Sequence, residues 1–293
     1  MRTDSKKITW LLILGQVFFQ TAAFVVIAIS YFFNKTGPGM LIGSDIGSFI
    51  ANVVILGIFY LVTRKNASRP TENRKQSVRM LPAAFFALIV WNLIMGAVDF
   101  SISSVSGSPI DDISYSPFFG LVTIAVLPAV FEEFAFRKVI YGHMRKHGKI
   151  IAAVFSSMLF GLMHQNFTQG IFAFGMGLLM CYVYEKTGRI ICTMLLHFLN
   201  NAISVLLPFI PEYKNFGRMA EAALGIFALI AVTFILLKKD NRTRLINLLR
   251  SALGALKIKG RECFLTVPMA IYTVFCIGMA IVTAIIMYSG GSL

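Results

Sequence analysis

The sequence predicts an all-α, polytopic transmembrane helical bundle of about nine spans, with eight as the alternative. Apolar residues make up 57% of the 293 positions and charged residues only 14%, whereas a soluble globular chain carries about 25% charged residues. The mean hydropathy is +0.76. Apolar stretches follow one another almost end to end, so they leave no room for a soluble domain.

The predicted spans are 8–33, 43–63, 80–99, 117–140, 149–165, 168–185, 189–209, 220–237 and 264–288. Most reach the roughly 20 residues that a helix needs to cross the hydrocarbon core. The fifth is short and the second contains Asp45, so these two bounds are the least defined. The four cysteines lie in or beside apolar stretches without a CxxC pair, which indicates small buried side chains rather than a disulfide framework.

The net charge of +14 is explained by membrane topology. With nine spans and the N-terminus inside, 24 of the 27 Lys and Arg residues fall in the predicted cytoplasmic segments 1–7, 64–79, 137–149, 186–189 and 238–261. Cytoplasmic loops carry such an excess. We therefore expect a multi-pass cell-membrane protein with a cytoplasmic N-terminus, whose partners include the lipid bilayer and exclude nucleic acid.

A basic amphipathic segment, 242–257, lies between the last two predicted spans. Its leucines follow helical spacing, while Arg250 and Lys257 fall together away from them. One interpretation is a helix lying on the inner membrane surface. The other is an ordinary cytoplasmic helix packed on its own protein, and the pattern favours neither.

Ionisable residues occur in the fourth predicted span, where each costs about 2.5–3.5 kcal/mol to insert. Glu133 and Arg137 are four apart and share a helix face, which predicts an ion pair. Glu132 points about 100° away and stays unpaired, as a general base would. The alternative is a helix end, where Arg137 reaches the cytoplasm and both glutamates lie at the interface.

Two further polar groups lie in the fifth and seventh predicted spans. His164 shares a face with Phe160 and is either a hydrogen-bonded core residue or a catalyst. His197 and Asn201 are four apart, and act either as interhelical hydrogen-bonding residues or as a pair of donors to a developing negative charge. The remaining histidines, His143 and His147, are expected to be solvated in a cytoplasmic loop.

The three groups, in this order, resemble the CAAX-protease and bacteriocin-processing family of intramembrane proteases (CPBP or Abi; type II CAAX prenyl endopeptidases). The family pattern is Glu-Glu-x-x-x-Arg, then Phe-x-x-x-His, then His-x-x-x-Asn. The matching residues are Glu132, Glu133, Arg137, Phe160, His164, His197 and Asn201. The resemblance implies a protease core over 115–210, flanked by N-terminal helices over 1–114 and C-terminal helices over 211–293, the latter with the basic linker 238–261.

The resemblance also implies an activity, an intramembrane endopeptidase with a polar cavity. Glu132 and His164 would hold and activate water, His197 and Asn201 would form the oxyanion site, and Glu133 with Arg137 would brace the first helix. We expect no required cofactor. Zn²⁺ remains an alternative, with Glu132, His164 and His197 as ligands.

The substrate class and two other functions stay open at this stage. The substrate is expected to be a CAAX-type lipidated protein or a peptide precursor, and the sequence does not separate these. A transporter with an ion path through the buried polar groups is a rival, although no inverted repeat is visible. A non-catalytic immunity protein built on the same motifs is another.

Overall fold

The computed structural model describes residues 1–34, 67–106, 116–211, 213 and 217–288, with a few isolated positions between 54 and 61. These parts contain nine helices and no strand. The helices are α1 Arg2–Asn34, α2 Arg74–Ser106, α3 Pro117–His147, α4 Lys149–Met163, α5 Phe167–Thr187, α6 Ile190–Leu206, α7 Arg218–Leu237, α8 Lys239–Phe264 and α9 Val267–Tyr288.

The predicted all-α membrane architecture is confirmed. Within the described residues, α2, α3, α5, α6 and α7 are long and apolar enough to cross a membrane, and α8 with α9 form a sixth candidate that bends by 90°. α4 has only 15 residues, or about 22 Å, which is short for a span. The predicted span 43–63 lies outside the described residues, so the count of nine stays a prediction.

The α3 helix carries most of the predicted site and is irregular in two places. It contains π-helical turns at Leu121–Val126 and Phe134–Tyr141. The first turn lies just before Pro128, which has no N–H to pair with the carbonyl of Ile124. In the second turn, the Ser156 hydroxyl of α4 donates to the Phe136 carbonyl at 2.7 Å. Turns of this kind are frequent at functional sites.

A close contact between α4 and α5 places His164 at the turn that joins them. The backbones of Gly161 and Gly170 pack so closely that a Cβ on Gly161 would lie 2.6 Å from the Gly170 oxygen. His164 caps the end of α4, and Gln165 follows with a positive φ of 52°. Asn166 then begins α5 by accepting a hydrogen bond from the Gln169 backbone N–H.

One end of the bundle collects several segments that the charge pattern assigns to the cytoplasm. Asp4 of α1 bonds to Lys146 and His147 at the end of α3, each at 2.9 Å. Arg145 of α3 and Glu185 of α5 form a second ion pair at 2.7 Å. This gathering agrees with the predicted partition of charge, while the side of the membrane that it faces stays a prediction.

The two histidines in that region are less solvated than the sequence indicates. His143 is only 6% exposed, because it is packed in the interior at the end of α3, and its Nε2 lies 3.7 Å from Asp4. His147 is held by the same carboxylate. The sequence analysis missed these contacts because Asp4 is more than 130 positions away along the chain.

Candidate functional site

A fully buried ion pair forms the centre of the candidate site. Glu133 is 0% exposed, and its Oε2 lies 3.1 Å from Nε of Arg137. This is the i,i+4 pair that the sequence predicts. An arginine that reaches out of a helix end into the cytoplasm does not fit the structure, because the Arg137 side chain is buried inside the bundle.

The His197 ring joins this ion pair to Glu132. Its Nδ1 lies 2.9 Å from Oε1 of Glu133. Because an ionised carboxylate only accepts hydrogen bonds, Nδ1 carries the proton and Nε2 faces the other way. The Nε2 atom lies 3.8 Å from Oε2 of Glu132. Glu133 therefore orients His197 towards Glu132, as well as pairing with Arg137.

Glu132 is the more accessible of the two adjacent glutamates. Its side chain is 24% exposed, whereas that of Glu133 is 0% exposed. The 3.8 Å separation from His197 exceeds a direct hydrogen bond. A gap of that size between two polar atoms is suited to a bridging water molecule. The arrangement thus gives one reachable carboxylate beside an oriented histidine.

Phe160 is the aromatic centre around which the charged groups are packed. The Arg137 guanidinium lies 4.5 Å from its ring centroid, in a cation–π contact. The His164 and His197 rings lie 5.0 and 6.1 Å from the same centroid. The structure thus brings the fourth, fifth and seventh predicted spans together, and Phe160 packs between their polar side chains.

His164 makes a different contact from the one that its predicted role requires. Its Nδ1 lies 2.8 Å from the Phe160 carbonyl oxygen, one helical turn earlier. It packs edge-on to Phe160 and is partly exposed. The predicted sharing of one water molecule with Glu132 would need the second ring nitrogen, Nε2, because Nδ1 is already engaged.

Asn201 belongs to a chain of side-chain amides that crosses from α2 to α3. Asn92 of α2 donates to Asn200 at 2.6 Å, and Asn200 donates to Asn201 at 3.0 Å. Asn201 in turn donates to the carbonyl of Ile124 at 2.9 Å. That carbonyl is the one that Pro128 leaves without its α-helical partner.

The amide chain contains two residues to which the sequence analysis assigned no role. Asn200 is only 6% exposed, and a buried amide needs hydrogen-bond partners. A polar residue inside an apolar span was the available signal for Asn92, but only its pairing with Asn200 reveals what it does.

A cavity of about 630 Å³, with both apolar and polar side chains in its wall, lies beside this chain, between α2, α5, α6 and α7. Asn92 and Asn200 form part of its wall, together with Asp99, Tyr213 and Glu221. The motif residues of the cavity that the resemblance implies lie instead on α3, α4 and α6. This cavity uses α6 only, because Asn200 faces α2 while its neighbour Asn201 faces α3.

The predicted zinc ligands are not arranged as a metal site. Across the described residues, which include Glu132, His164 and His197, no group of three or more His, Cys, Asp or Glu side chains is placed to hold a metal ion. His197 already directs Nδ1 to Glu133, and His164 directs Nδ1 to a backbone carbonyl. Both rings keep Nε2, the nitrogen that a histidine with an engaged Nδ1 presents to a metal, so cofactor dependence stays a prediction.

The fold and the buried Glu–Arg–His site define a class of protein: a helical membrane protein with ionisable side chains buried inside its bundle. Comparison with known proteins shows which family this part of the chain is similar to. Residues 114–203 match the family model described as type II CAAX prenyl endopeptidase Rce1-like. This segment contains all six predicted site residues and nearly coincides with the core predicted at 115–210. The resemblance stated from the motifs is therefore confirmed, and the family supports a membrane peptidase.

Two curated bacterial relatives agree with that family. A Bacillus subtilis protein provisionally named membrane peptidase YdiL is 24% identical over 223 residues, which cover 70% of this chain and 91% of the relative. The membrane-embedded CAAX protease MroQ of Staphylococcus aureus is 32% identical over 90 residues, covering 28% of this chain and 36% of the relative. No solved structure matches the chain.

Proposed function

We propose that this protein is an intramembrane endopeptidase of the cell membrane in which Glu132 activates a water molecule. The observation that carries the proposal is the pairing of adjacent glutamates with different surroundings. Glu133 is buried against Arg137 and His197, whereas Glu132 is reachable and lies 3.8 Å from His197 Nε2. The buried residue orients the histidine, and the reachable one is free to move a proton.

The proposed reaction is hydrolysis of a peptide bond. Glu132 takes a proton from water as the water oxygen attacks the carbonyl carbon, and the carbonyl π electrons move onto oxygen. The Asn201 amide donates a hydrogen bond to that oxyanion, and His197 does so in its imidazolium form, in which Nε2 carries a proton as well as Nδ1. Glu132 then returns its proton to the leaving nitrogen as the C–N bond breaks. No step is routed through a metal ion.

The proposed role of His164 is to hold the water or the substrate through Nε2. Its Nδ1 bond to the Phe160 carbonyl and its edge-on packing against Phe160 fix the plane of the ring. Because this bond places a proton on Nδ1, the neutral ring presents Nε2 as an acceptor. The Ile124 contact of Asn201 uses one of its two amide hydrogens, which leaves the second for the oxyanion.

The proposal is tested with purified protein in lipid nanodiscs and two quenched fluorescent peptides of one CAAX-type sequence, one farnesylated and one not. A third probe is an unlipidated peptide precursor. Cleavage of one of them by the parent protein is expected. Glu132→Gln should lower the rate by about 10²–10⁴-fold, the usual contribution of a general base. The matched control is Glu262→Gln, which changes an exposed glutamate on α8.

The two variants and a chelator give decisive outcomes. Equal rates for Glu132→Gln and the parent would refute the assigned base. Loss of activity with a chelator, restored by Zn²⁺, would refute the metal-free mechanism and support the zinc alternative. Cleavage confined to the farnesylated peptide would assign lipidated proteins as substrates, and cleavage of the precursor alone would assign peptide precursors.

A further inference from the structure

The basic helix α8 has the geometry of an element that lies along the membrane surface. It spans 26 residues, Lys239–Phe264, and is therefore about 39 Å long. It begins two residues after α7 ends at Leu237, and it ends three residues before α9 begins at Val267. The axes of α8 and α9 differ by 90°. Because α7 is a candidate span and the 22 residues of α9 are long enough to cross the hydrocarbon core, α8 is held at the depth where these two helices meet the interface.

One apolar stripe runs along α8, and the bundle covers only part of it. In the C-terminal third, Leu256 and Phe264 pack on the core, Cys263 is fully buried, and Phe264 contacts Phe155 of α4. Further towards the N-terminus the stripe is uncovered. Leu249 is 49% exposed and Leu253 is 64% exposed.

Basic side chains border the uncovered part of the stripe. At about 100° per residue, four exposed cations fall within roughly 40° of one another on the helical wheel, next to Leu253. They are Lys239, Arg250, Lys257 and Arg261. Only Asp240 and Glu262 oppose the charge along the whole of α8. Such cations place their aliphatic stems on apolar surface and their charged ends among headgroups.

We propose that α8 binds anionic lipid along its uncovered side, with the Leu249–Leu253 face inserted at the acyl boundary and the cationic strip on lipid headgroups. The occupant is lipid rather than a second protein because both ends of α8 are fixed at interface depth, where the uncovered stripe meets lipid, and because the strip carries an excess of positive charge. This decides between the two interpretations of segment 242–257. Its C-terminal part is packed on the protein, and its N-terminal part is available to lipid.

The proposal predicts different surroundings for two labelled positions on opposite faces of α8. Leu253→Cys and Ser251→Cys each receive an environment-sensitive fluorophore in full-length protein in nanodiscs. The four native cysteines are buried, and the parent protein, treated identically, measures any background labelling. The label at 253 should be quenched by lipids that carry a nitroxide, and the label at 251 by aqueous iodide.

The lipid headgroup is tested by comparing phosphatidylcholine discs with discs that also contain phosphatidylglycerol. Each Lys or Arg near an anionic surface contributes about fivefold to binding. Arg250→Glu with Lys257→Glu in the labelled Leu253→Cys protein should therefore lower lipid docking at least about 25-fold in anionic discs. Lys75→Glu with Arg79→Glu is the matched control, because it makes the same charge change at exposed positions of α2.

Three results would overturn the proposal. Equal iodide quenching at 253 and 251 would show that the stripe faces water. Protection of the 253 label from both quenchers would show that protein covers it. Equal docking in neutral and anionic discs would remove the role of the cations.

Discussion

Replacing Arg137 by Met removes a buried charge while keeping most of the side-chain volume. In the parent protein, Arg137 lies 3.1 Å from Glu133, and both side chains are at most 1% exposed. The variant leaves the Glu133 carboxylate in the interior with the His197 ring, 2.9 Å away, as its remaining side-chain partner on α6. It also removes the cation–π contact with Phe160.

The expected cost follows from this burial. Removing one partner of a buried ion pair costs about 3–5 kcal/mol, because the other charge stays desolvated and uncompensated. Adding Glu133→Gln to Arg137→Met removes that uncompensated charge. The double variant should therefore recover about 2 kcal/mol or more of the loss, since contacting residues couple by about 0.5–3 kcal/mol.

The assay is reversible unfolding by SDS titration in mixed micelles, followed by circular dichroism. Lys138→Met is the matched control, because Lys138 is next in sequence but only partly buried, over the Phe134 ring. It should cost about 1 kcal/mol or less. The buried charge is not the cause if Arg137→Met costs no more stability than the control. The same holds if the double variant loses as much free energy of unfolding as the two single variants added together.

Three further predictions concern other parts of the fold. Burial raises the pKa of Asp4, but hydrogen bonds from His147 and Lys146 and the Lys146 charge lower it overall to about 2. The stability that Asp4→Asn loses relative to the parent should therefore be greatest above about pH 4 and should vanish as the pH falls towards 2. A difference in unfolding midpoints that stays constant with pH would contradict this. Asn92→Leu should lower the free energy of unfolding by about 1–2 kcal/mol because the buried Asn200 oxygen loses its donor. An unchanged midpoint in the SDS titration would show that the amide chain does not stabilise the fold. Gly161→Ala should destabilise the protein, because its Cβ would meet the Gly170 backbone. Gly254→Ala, which has no atom near its Cβ, should stabilise α8 by up to about 1 kcal/mol. A melting temperature of Gly161→Ala equal to or above that of Gly254→Ala would refute the close packing of α4 on α5.

The contacts that sequence analysis predicted correctly are local ones. Glu133 and Arg137 are four residues apart, and they pair at 3.1 Å within the same helix. The third predicted span, 80–99, lies within α2, Arg74–Ser106, because the length of an apolar run indicates a helix whatever its neighbours are. The segment 114–203 that matches the family model could also be recognised from the sequence, because its motifs consist of short fixed spacings along single helices.

The contacts that sequence analysis missed join distant parts of the chain. The second partner of Glu133 is His197, 64 positions away. The chain from Asn92 through Asn200 to Asn201 depends on how α2 and α6 are rotated about their axes. Apolar content specifies that a helix forms, but the packing of neighbouring helices decides its rotation.

By itself, the sequence determined the helical membrane class and the Glu133–Arg137 pair, and it supplied the residues of the proposed peptidase site. Those features depend on the desolvation cost of polar groups in lipid and on spacings within one helix, and both follow directly from the order of residues along the chain. Only the tertiary structure decided that Glu133 orients His197, that Asn201 is held by the carbonyl of Ile124, and that the bundle covers only the C-terminal part of the α8 stripe. The physical reason is that π-helical turns and interhelical packing set the rotation of each helix, and the rotation selects which side chains meet.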